Sequence, residues 1–157
     1  MLKRTKNQFE FYLSKCKEVG LIVTEQRKNI LKVIFESSDH PTADTIYERT
    51  SIIDQNISLA TIYRAINLFE GYGLIEKLEF GDGRARYEMK HDENDHHHHL
   101  IDLSSGKIVE FHDEEIERLK HKIAEKLGYK LVEHRLELFG VPLVEESEDI
   151  STKNKVK

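Results

Sequence analysis

The chain has 157 residues, a formal net charge of −5 at pH 7 and one cysteine, Cys16. This length allows one domain or two small ones, and the lone cysteine excludes an internal disulfide and any all-cysteine zinc site. No segment approaches the ~20 apolar residues that span a membrane, and the N-terminus lacks the pattern of a signal peptide. We therefore expect a cytoplasmic protein with no membrane partner.

The charge is unevenly distributed along the chain. Residues 1–32 contain eight Lys or Arg and three Asp or Glu, whereas the rest contains 16 basic and 26 acidic residues. A basic arm on an acidic body suits a protein that contacts phosphate at one end only. A solvated surface without a nucleic-acid partner explains the same pattern equally well.

The pattern over residues 7–51 is helical, with two breaks. Thr24 follows the first break and is placed to cap a helix running to about residue 37. The second break is His40-Pro41, after which Thr42 can cap a short helix. Ser58 opens a third strong helix, which ends at residue 71 or 73.

This helix from Ser58 has one apolar face and one polar face. Helical spacing predicts a buried stripe made of Leu59, Ile62, Ile66 and Phe69. The opposite face carries Ala60, Tyr63, Arg64 and Asn67. Strand-like residues 74–80 and 84–89 then flank a tight turn at residues 81–83, which predicts a hairpin. Helices followed by such a hairpin are typical of a winged helix-turn-helix, whose second helix enters the major groove.

The second half of the chain predicts a smaller α/β unit. We expect strands over residues 96–103, 107–111 and 129–139, with a helix over about 113–127. So small a core is marginal alone, which favours a homodimer. The predicted fold class is α+β: a winged-helix DNA-binding domain at 1–89, a hinge linker at 90–95, a dimerisation domain at 96–144, and a disordered tail at 145–157.

Four contiguous histidines at residues 96–99 carry the chemistry. Side chains alternate along a strand, so His97 and His99 point one way and His96 and His98 the other, and one strand can serve two metal sites. The alternatives are a solvated polar loop or an artificial tag, although a tag is normally terminal. Imidazole with carboxylate suits Zn, Fe(II), Mn or Co. Further candidate ligands are His40, Glu88, Glu110, Glu117 and His134.

These segments, in this order, resemble the ferric uptake regulator family of bacterial metalloregulators over about residues 20–142. The segments that match are ATIYR at 60–64, YE at 87–88, HHHHL at 96–100 where the family often has HHDHL, GKIVEF at 106–111, IE at 116–117, and His134 followed by LFG at 138–140. The segment GDGRARYE at 81–88 is most similar to the iron- and manganese-responsive branch of alphaproteobacteria.

The resemblance implies two metal sites. The regulatory site, joining the domains, would consist of His40, Glu88, His97, His99 and Glu110. The second site, within the second domain, would consist of His96, His98, Glu117 and His134. Fe(II) or Mn(II) would be the co-repressor, and Zn(II) could occupy the sites in vitro.

The resemblance also implies a homodimeric repressor of iron or manganese uptake genes that binds double-stranded DNA at a palindromic operator. In the third strong helix, Tyr63 can pack against a thymine methyl and Arg64 can reach a guanine or a phosphate; Thr61 is a further DNA-binding candidate. Thr24 and Arg27, at a helix start, can hold phosphate. Neither an enzymatic activity nor a small organic substrate is expected.

The chain departs from the family pattern in ways that bear on its chemistry. Asp102 and Ser105 stand where many relatives have a CxxC pair, which rules out a cysteine-bound structural zinc. His98 replaces the usual Asp, and Ile22 stands where a lysine that enters the minor groove is often found.

Several other functions stay open at this level. They are a peroxide- or zinc-responsive regulator of the same family, a metal buffer that does not bind DNA, and a zinc hydrolase. The glutamates Glu88 and Glu110 stand where the peroxide-sensing branch has Asp, which counts against histidine oxidation as the signal. The sequence has no HExxH motif, which counts against the hydrolase.

Overall fold

The computed structural model describes residues 4–91 and 97–143. The chain divides into two compact units, Met1–His96 and His97–Lys157. The first contains α1 (Lys6–Glu18), α2 (Glu25–Glu36), α3 (Ala43–Ile53), α4 (Leu59–Gly71), β1 (Ile75–Glu79) and β2 (Ala85–Met89). The second contains β3 (His98–Asp102), β4 (Ile108–Phe111), α5 (Glu114–Lys126) and β5 (Glu137–Gly140). This confirms the predicted α+β class.

Parts of the predicted organisation fall on residues outside this description. They are His96, most of the hinge linker and the tail predicted over residues 145–157. Among the described residues, no helix is long and apolar enough to cross a membrane.

Hydroxyl side chains start the helices of the first unit, as the sequence predicts. Thr24, Thr42 and Ser58 each accept a hydrogen bond from the backbone N–H three residues further along, at the first turns of α2, α3 and α4. Such caps satisfy backbone donors that have no partner within the helix. Thr5 plays the same part for α1, where the Gln8 side chain completes a capping box.

The core of the first unit is aliphatic and centres on α2, α3 and α4. Ile62, Ile66 and Phe69 are fully buried, which confirms most of the stripe predicted for α4. Leu59, in the first turn, is 37% exposed, and Ala65 is buried instead. The exposed face of α4 carries the polar residues expected there, Tyr63 and Arg64 among them.

The predicted hairpin forms the wing of the first unit. Strands β1 and β2 pair antiparallel over residues 75–79 and 85–89, and Gly81 and Gly83 adopt positive φ in the turn, which glycine allows without strain. An isolated bridge joins Thr42 to Arg86, and the Tyr87 N–H donates to the Pro41 carbonyl at 3.0 Å. These contacts fasten the segment before α3 to the outer edge of β2.

The second unit is a three-stranded sheet of order β4-β3-β5, in which β4 runs antiparallel to β3 and β5 runs parallel to it. The prediction of a last strand over residues 129–139 is wrong in its extent, because β5 covers only Glu137–Gly140. Its partner β3 is itself only five residues long, so residues 129–136 have no strand to pair with among the described residues 97–143. Val132, within the predicted strand, is 92% exposed.

Candidate metal centres and nucleic-acid interface

The first unit brings His40 and Glu88 together. The bridge between Thr42 and Arg86 sets an antiparallel register, and the same register places residue 40 opposite residue 88. The Nε2 atom of His40 lies 3.0 Å from Oε2 of Glu88, and the two residues are only 4% and 6% exposed. A buried carboxylate facing an imidazole is a costly arrangement that a bound cation would stabilise.

The backbone at His40 is unusual. Its φ is 52°, and among the described residues it is the only non-glycine with positive φ. Residues other than glycine adopt this left-handed conformation rarely, and such strain concentrates at functional sites. The residue in this conformation presents its imidazole to Glu88, and the carbonyl of the next residue, Pro41, accepts from the Tyr87 N–H of β2.

In the second unit, one face of the sheet carries His97, His99 and Glu110. The rings of His97 and His99 lie with their centroids 5.0 Å apart, and Nε2 of His97 is 3.6 Å from Oε1 of Glu110. Glu110 is paired with His99 across β3 and β4. Alternation along the strand places the two imidazoles on one side, as the sequence predicts, and the pairing of β3 with β4 adds the carboxylate of Glu110.

The opposite face of β3 carries His98, which meets Glu117 and His134. The Nε2 atom of His98 lies 2.9 Å from Oε1 of Glu117, and Nε2 of His134 lies 3.8 Å from the same oxygen. Ligand atoms of these three residues all lie within 4.8 Å of one another. His96, assigned to this site by resemblance, is outside the described residues.

A residue that the sequence reasoning missed, Lys120, lies beside this second cluster. Its ammonium contacts the Glu117 carboxylate and lies 3.2 Å and 3.3 Å from the two ring nitrogens of His134. Desolvation raises the pKa of Glu117, but the hydrogen bond and charge of Lys120, with His134 and His98, outweigh it, and that pKa lies below its usual value. The spacing of Glu117 and Lys120, one helical turn, was the available clue.

Two of these groups, the one with His97 and the one with His98, each bring together three donors that fit a divalent metal ion. Imidazole nitrogen and carboxylate oxygen are ligands that Zn(II), Fe(II) and Mn(II) accept. Cysteine is absent from both groups, because the only one in the sequence, Cys16, is fully buried in the core of the first unit.

The turn after β3, which contains Asp102 and Ser105, is closed by hydrogen bonds. Asp102 accepts from the backbone N–H and the hydroxyl of Ser104, at 2.8 Å and 2.6 Å, and from the hydroxyl of Ser105 at 2.5 Å. The Ser104 hydroxyl, then the other donors, lower the pKa of Asp102 from 3.8 to about 2. A charged carboxylate with three donors thus holds this turn without metal.

The candidate nucleic-acid interface lies on α4 and at the start of α2. Tyr63 is 45% exposed, and Arg64 is exposed beside the half-buried Thr61, whose hydroxyl is 2.8 Å from that of Ser58. At the start of α2, Thr24 accepts from the Arg27 N–H, and the Arg27 guanidinium donates to the carbonyl of Ile22 at 2.7 Å. Arg27 therefore stabilises the segment between α1 and α2, which is called the connector below.

Comparison with known proteins adds a decisive observation. The sequence model of the ferric uptake regulator family matches residues 18–139. The chain belongs to this family. It is 47% identical over 131 residues to the ferric uptake regulation protein of Rhizobium leguminosarum bv. viciae, covering 83% of this chain and 91% of that one.

Solved structures give the same result. A zinc-bound manganese uptake regulator is 45% identical, with a TM-score of 0.70, covering 84% of this chain and 98% of that one. The Helicobacter pylori ferric uptake regulator Fur is 31% identical, with a TM-score of 0.76, covering 90% and 94%. Members of the ferric uptake regulator family are transcription regulators and not enzymes, so the hydrolase alternative falls away.

Proposed function

We propose that the protein is a metal-dependent repressor that binds double-stranded DNA at a palindromic operator and controls iron or manganese uptake genes. One observation carries the proposal. The unit that presents Tyr63 and Arg64 on an exposed helix face also contains the buried pair of His40 and Glu88. A ligand pair within the DNA-reading unit gives a metal a direct means of acting on it.

The number of donors favours a shared regulatory site. His40 and Glu88 offer only two ligands, whereas borderline divalent ions in proteins take four or more. The second unit offers three further donors of the same kind on one face of β3 and β4: His97, His99 and Glu110. The proposal therefore assigns these five residues to one regulatory site, and assigns His98, Glu117 and His134, with His96 by resemblance, to a second site.

The regulation follows from where the ligands lie along the chain. A bound divalent ion supplies coordinate bonds to imidazole nitrogens and carboxylate oxygens. Because its ligands lie on both sides of residues 92–96, a bound ion would restrict the orientations that the DNA-reading unit can adopt. A larger share of the remaining orientations would allow a dimer to bind both half-sites of an operator. A coupling of ~1–3 kcal/mol changes DNA affinity by roughly 5–150-fold.

The second unit is proposed to form the dimer. None of the thirteen residues of α5 is buried. They include two apolar residues one turn apart, Leu119 and Ile123, which are 54% and 48% exposed. Apolar side chains grouped in this way mark an interface. A second copy of the same unit fits best, because a two-fold dimer matches the symmetry of a palindromic operator.

The choice between iron and manganese is kept open within the proposal. The R. leguminosarum relative is a ferric uptake regulation protein, and the solved relative is a manganese uptake regulator. Their sequence identities to this chain are close, at 47% and 45%. The ligand sets of imidazole and carboxylate serve both ions. The bound zinc of the solved relative supports Zn(II) as an occupant in vitro.

The test is selection of DNA by the full-length protein. Random-sequence duplex DNA is selected with Mn(II), or with Fe(II) without oxygen, and the affinity of the selected DNA is then measured with metal or with chelator. We expect a palindromic sequence and a loss of roughly 5–150-fold on chelation.

Replacing two clustered histidines, as in His97→Ala with His99→Ala, should remove the response to metal, and the matched control is His112→Ala with His121→Ala, because both residues are exposed and lie outside the clusters. This control should keep the response to metal. Equal DNA affinity with metal and chelator would contradict the proposal, and metal binding without any selected DNA would favour a metal buffer.

A further inference from the structure

The second metal cluster contains a cation of its own. Lys120 has its side chain only 14% exposed, and its ammonium lies against the carboxylate of Glu117 and 3.2–3.3 Å from both ring nitrogens of His134. The other carboxylate oxygen of Glu117 faces His98 at 2.9 Å. The ammonium thus contacts two of the three candidate ligands.

Helix geometry places Lys120 there. It lies one turn after Glu117 on α5, so that both side chains project from the same face. A lysine ammonium has three donors and no lone pair, so it cannot be a ligand while charged. Its partners are the same lone pairs that a divalent ion would need from Glu117 and His134.

We propose that Lys120 is a built-in competitor of the second metal site: it holds Glu117 and His134 together in the metal-free protein and must leave both before a divalent ion takes them. This inference rests on the proposed role of His98, Glu117 and His134 as a metal site.

The competition has two consequences. The charge of Glu117 is compensated without metal, so the second unit keeps this cluster assembled in either state. Metal affinity is lowered by the stability of the lysine contacts, so the cluster fills only at a higher free metal concentration. A simple surface ion pair would occupy the carboxylate of Glu117 alone and leave His134 available, whereas the ammonium of Lys120 lies against both residues.

The test compares Lys120→Met with Lys122→Met in the full-length protein. Both changes remove one positive charge from α5, and Lys122 is exposed. Each lysine change is made separately in a protein that already carries His97→Ala and His99→Ala. In this background the absorption bands of bound Co(II) report on the second cluster alone. Thermal unfolding of the metal-free proteins is measured in parallel.

We expect Lys120→Met to bind Co(II) roughly 10- to 100-fold more tightly, as loss of a competing charge-assisted hydrogen bond predicts. The metal-free form of this variant should unfold at a lower temperature, while Lys122→Met should change neither property. Lys120→Gln, which keeps a neutral donor, should fall between them and serves if the methionine variant folds poorly. Equal Co(II) affinity for the Lys120 and Lys122 variants would overturn the inference while leaving the metal site intact.

A different result would speak against the site itself. If His98→Ala with His134→Ala, in the same background, leaves Co(II) binding unchanged, these residues are not a metal site, and the proposed assignment fails together with the inference.

Discussion

The carboxylate of Asp39 is joined to the guanidinium of Arg49 by two parallel contacts, Nη1 to Oδ1 at 2.8 Å and Nη2 to Oδ2 at 2.5 Å. Asp39 directly precedes His40 in the chain. The same guanidinium donates to the hydroxyl of Ser37 at 2.8 Å. The hydrogen bond from Arg49 holds the pKa of Asp39 below its usual value. One side chain of α3 therefore fixes the segment that sets the position and strained backbone of His40.

Arg49→Lys is expected to reduce the metal dependence of DNA binding strongly and to lower the free energy of unfolding only slightly. Lysine cannot reproduce the two-point contact of a guanidinium, so His40 should be less well positioned. Both partners are more than one-third exposed, so the stability lost should be about 0.5 kcal/mol. Chemical denaturation and the Mn(II) dependence of DNA binding measure the two effects. A normal metal response in Arg49→Lys would show that the contact is not needed to position His40.

The two histidine faces of β3 are expected to have different roles. His97→Ala with His99→Ala should abolish the metal dependence of DNA binding and leave the dimer intact, because these two histidines belong to the proposed regulatory site and not to the second site. His98→Ala with His134→Ala should lower stability or dimerisation first, with any DNA defect following. Metal-titrated DNA affinity and sedimentation measure these properties. The opposite pattern would mean that the roles are reversed.

Much of the fold could be predicted because its determinants are local. Caps at Thr24, Thr42 and Ser58 and the glycine turn of the wing depend on residues a few positions apart, and the structure contains each of them. Alternation likewise placed His97 and His99 apart from His98. The extent of β5 could not be predicted, because a strand ends where its partner ends, and β3 is remote in sequence.

The candidate sites show the same limit. By residue type His134 was only one of several candidate ligands, and the resemblance alone assigned it to a site, since its neighbours Glu117 and His98 lie far away in sequence. Lys120 was missed because a lysine on a polar helix face is normally solvated. Its contact with His134 depends on where residues 129–136 run, and no local pattern encodes that path.

Leu119→Glu with Ile123→Glu is expected to dissociate the dimer. Both side chains are about half exposed within one unit, so the new carboxylates should disturb the fold of that unit little. Burial of these charges at an interface between two copies would be costly. Ile52→Glu, at a position 82% exposed in the first unit, is the matched control. Sedimentation should show monomers for the double variant and dimers for the control. A double variant that remains dimeric would place the interface elsewhere.

Arg64→Ala is expected to weaken DNA binding by ~1–3 kcal/mol and to relax specificity at one base position. Arg27→Ala should weaken binding to all sequences alike, because its guanidinium supports the connector through the carbonyl of Ile22. Arg118→Ala, on the exposed surface of α5, controls for the loss of a positive charge. Affinities for the selected DNA and for single-base variants measure these effects. Unchanged specificity in Arg64→Ala would exclude base contact by that residue.

The turn held by Asp102 is expected to make part of the stability of the second unit dependent on pH. Its pKa is about 2 in the folded chain and 3.8 ordinarily, so the folded state favours the charged form. Stability from this group is present above the ordinary value and is lost as pH falls towards the folded value. Asp102→Asn should therefore be less stable than the natural chain near neutral pH, and the difference should shrink between about pH 5 and pH 2. Denaturation with chelator present at several pH values measures this, and chelation should not alter the neutral-pH difference, because the turn contains no metal ligand. A difference independent of pH would mean that the charge of Asp102 does not hold the turn.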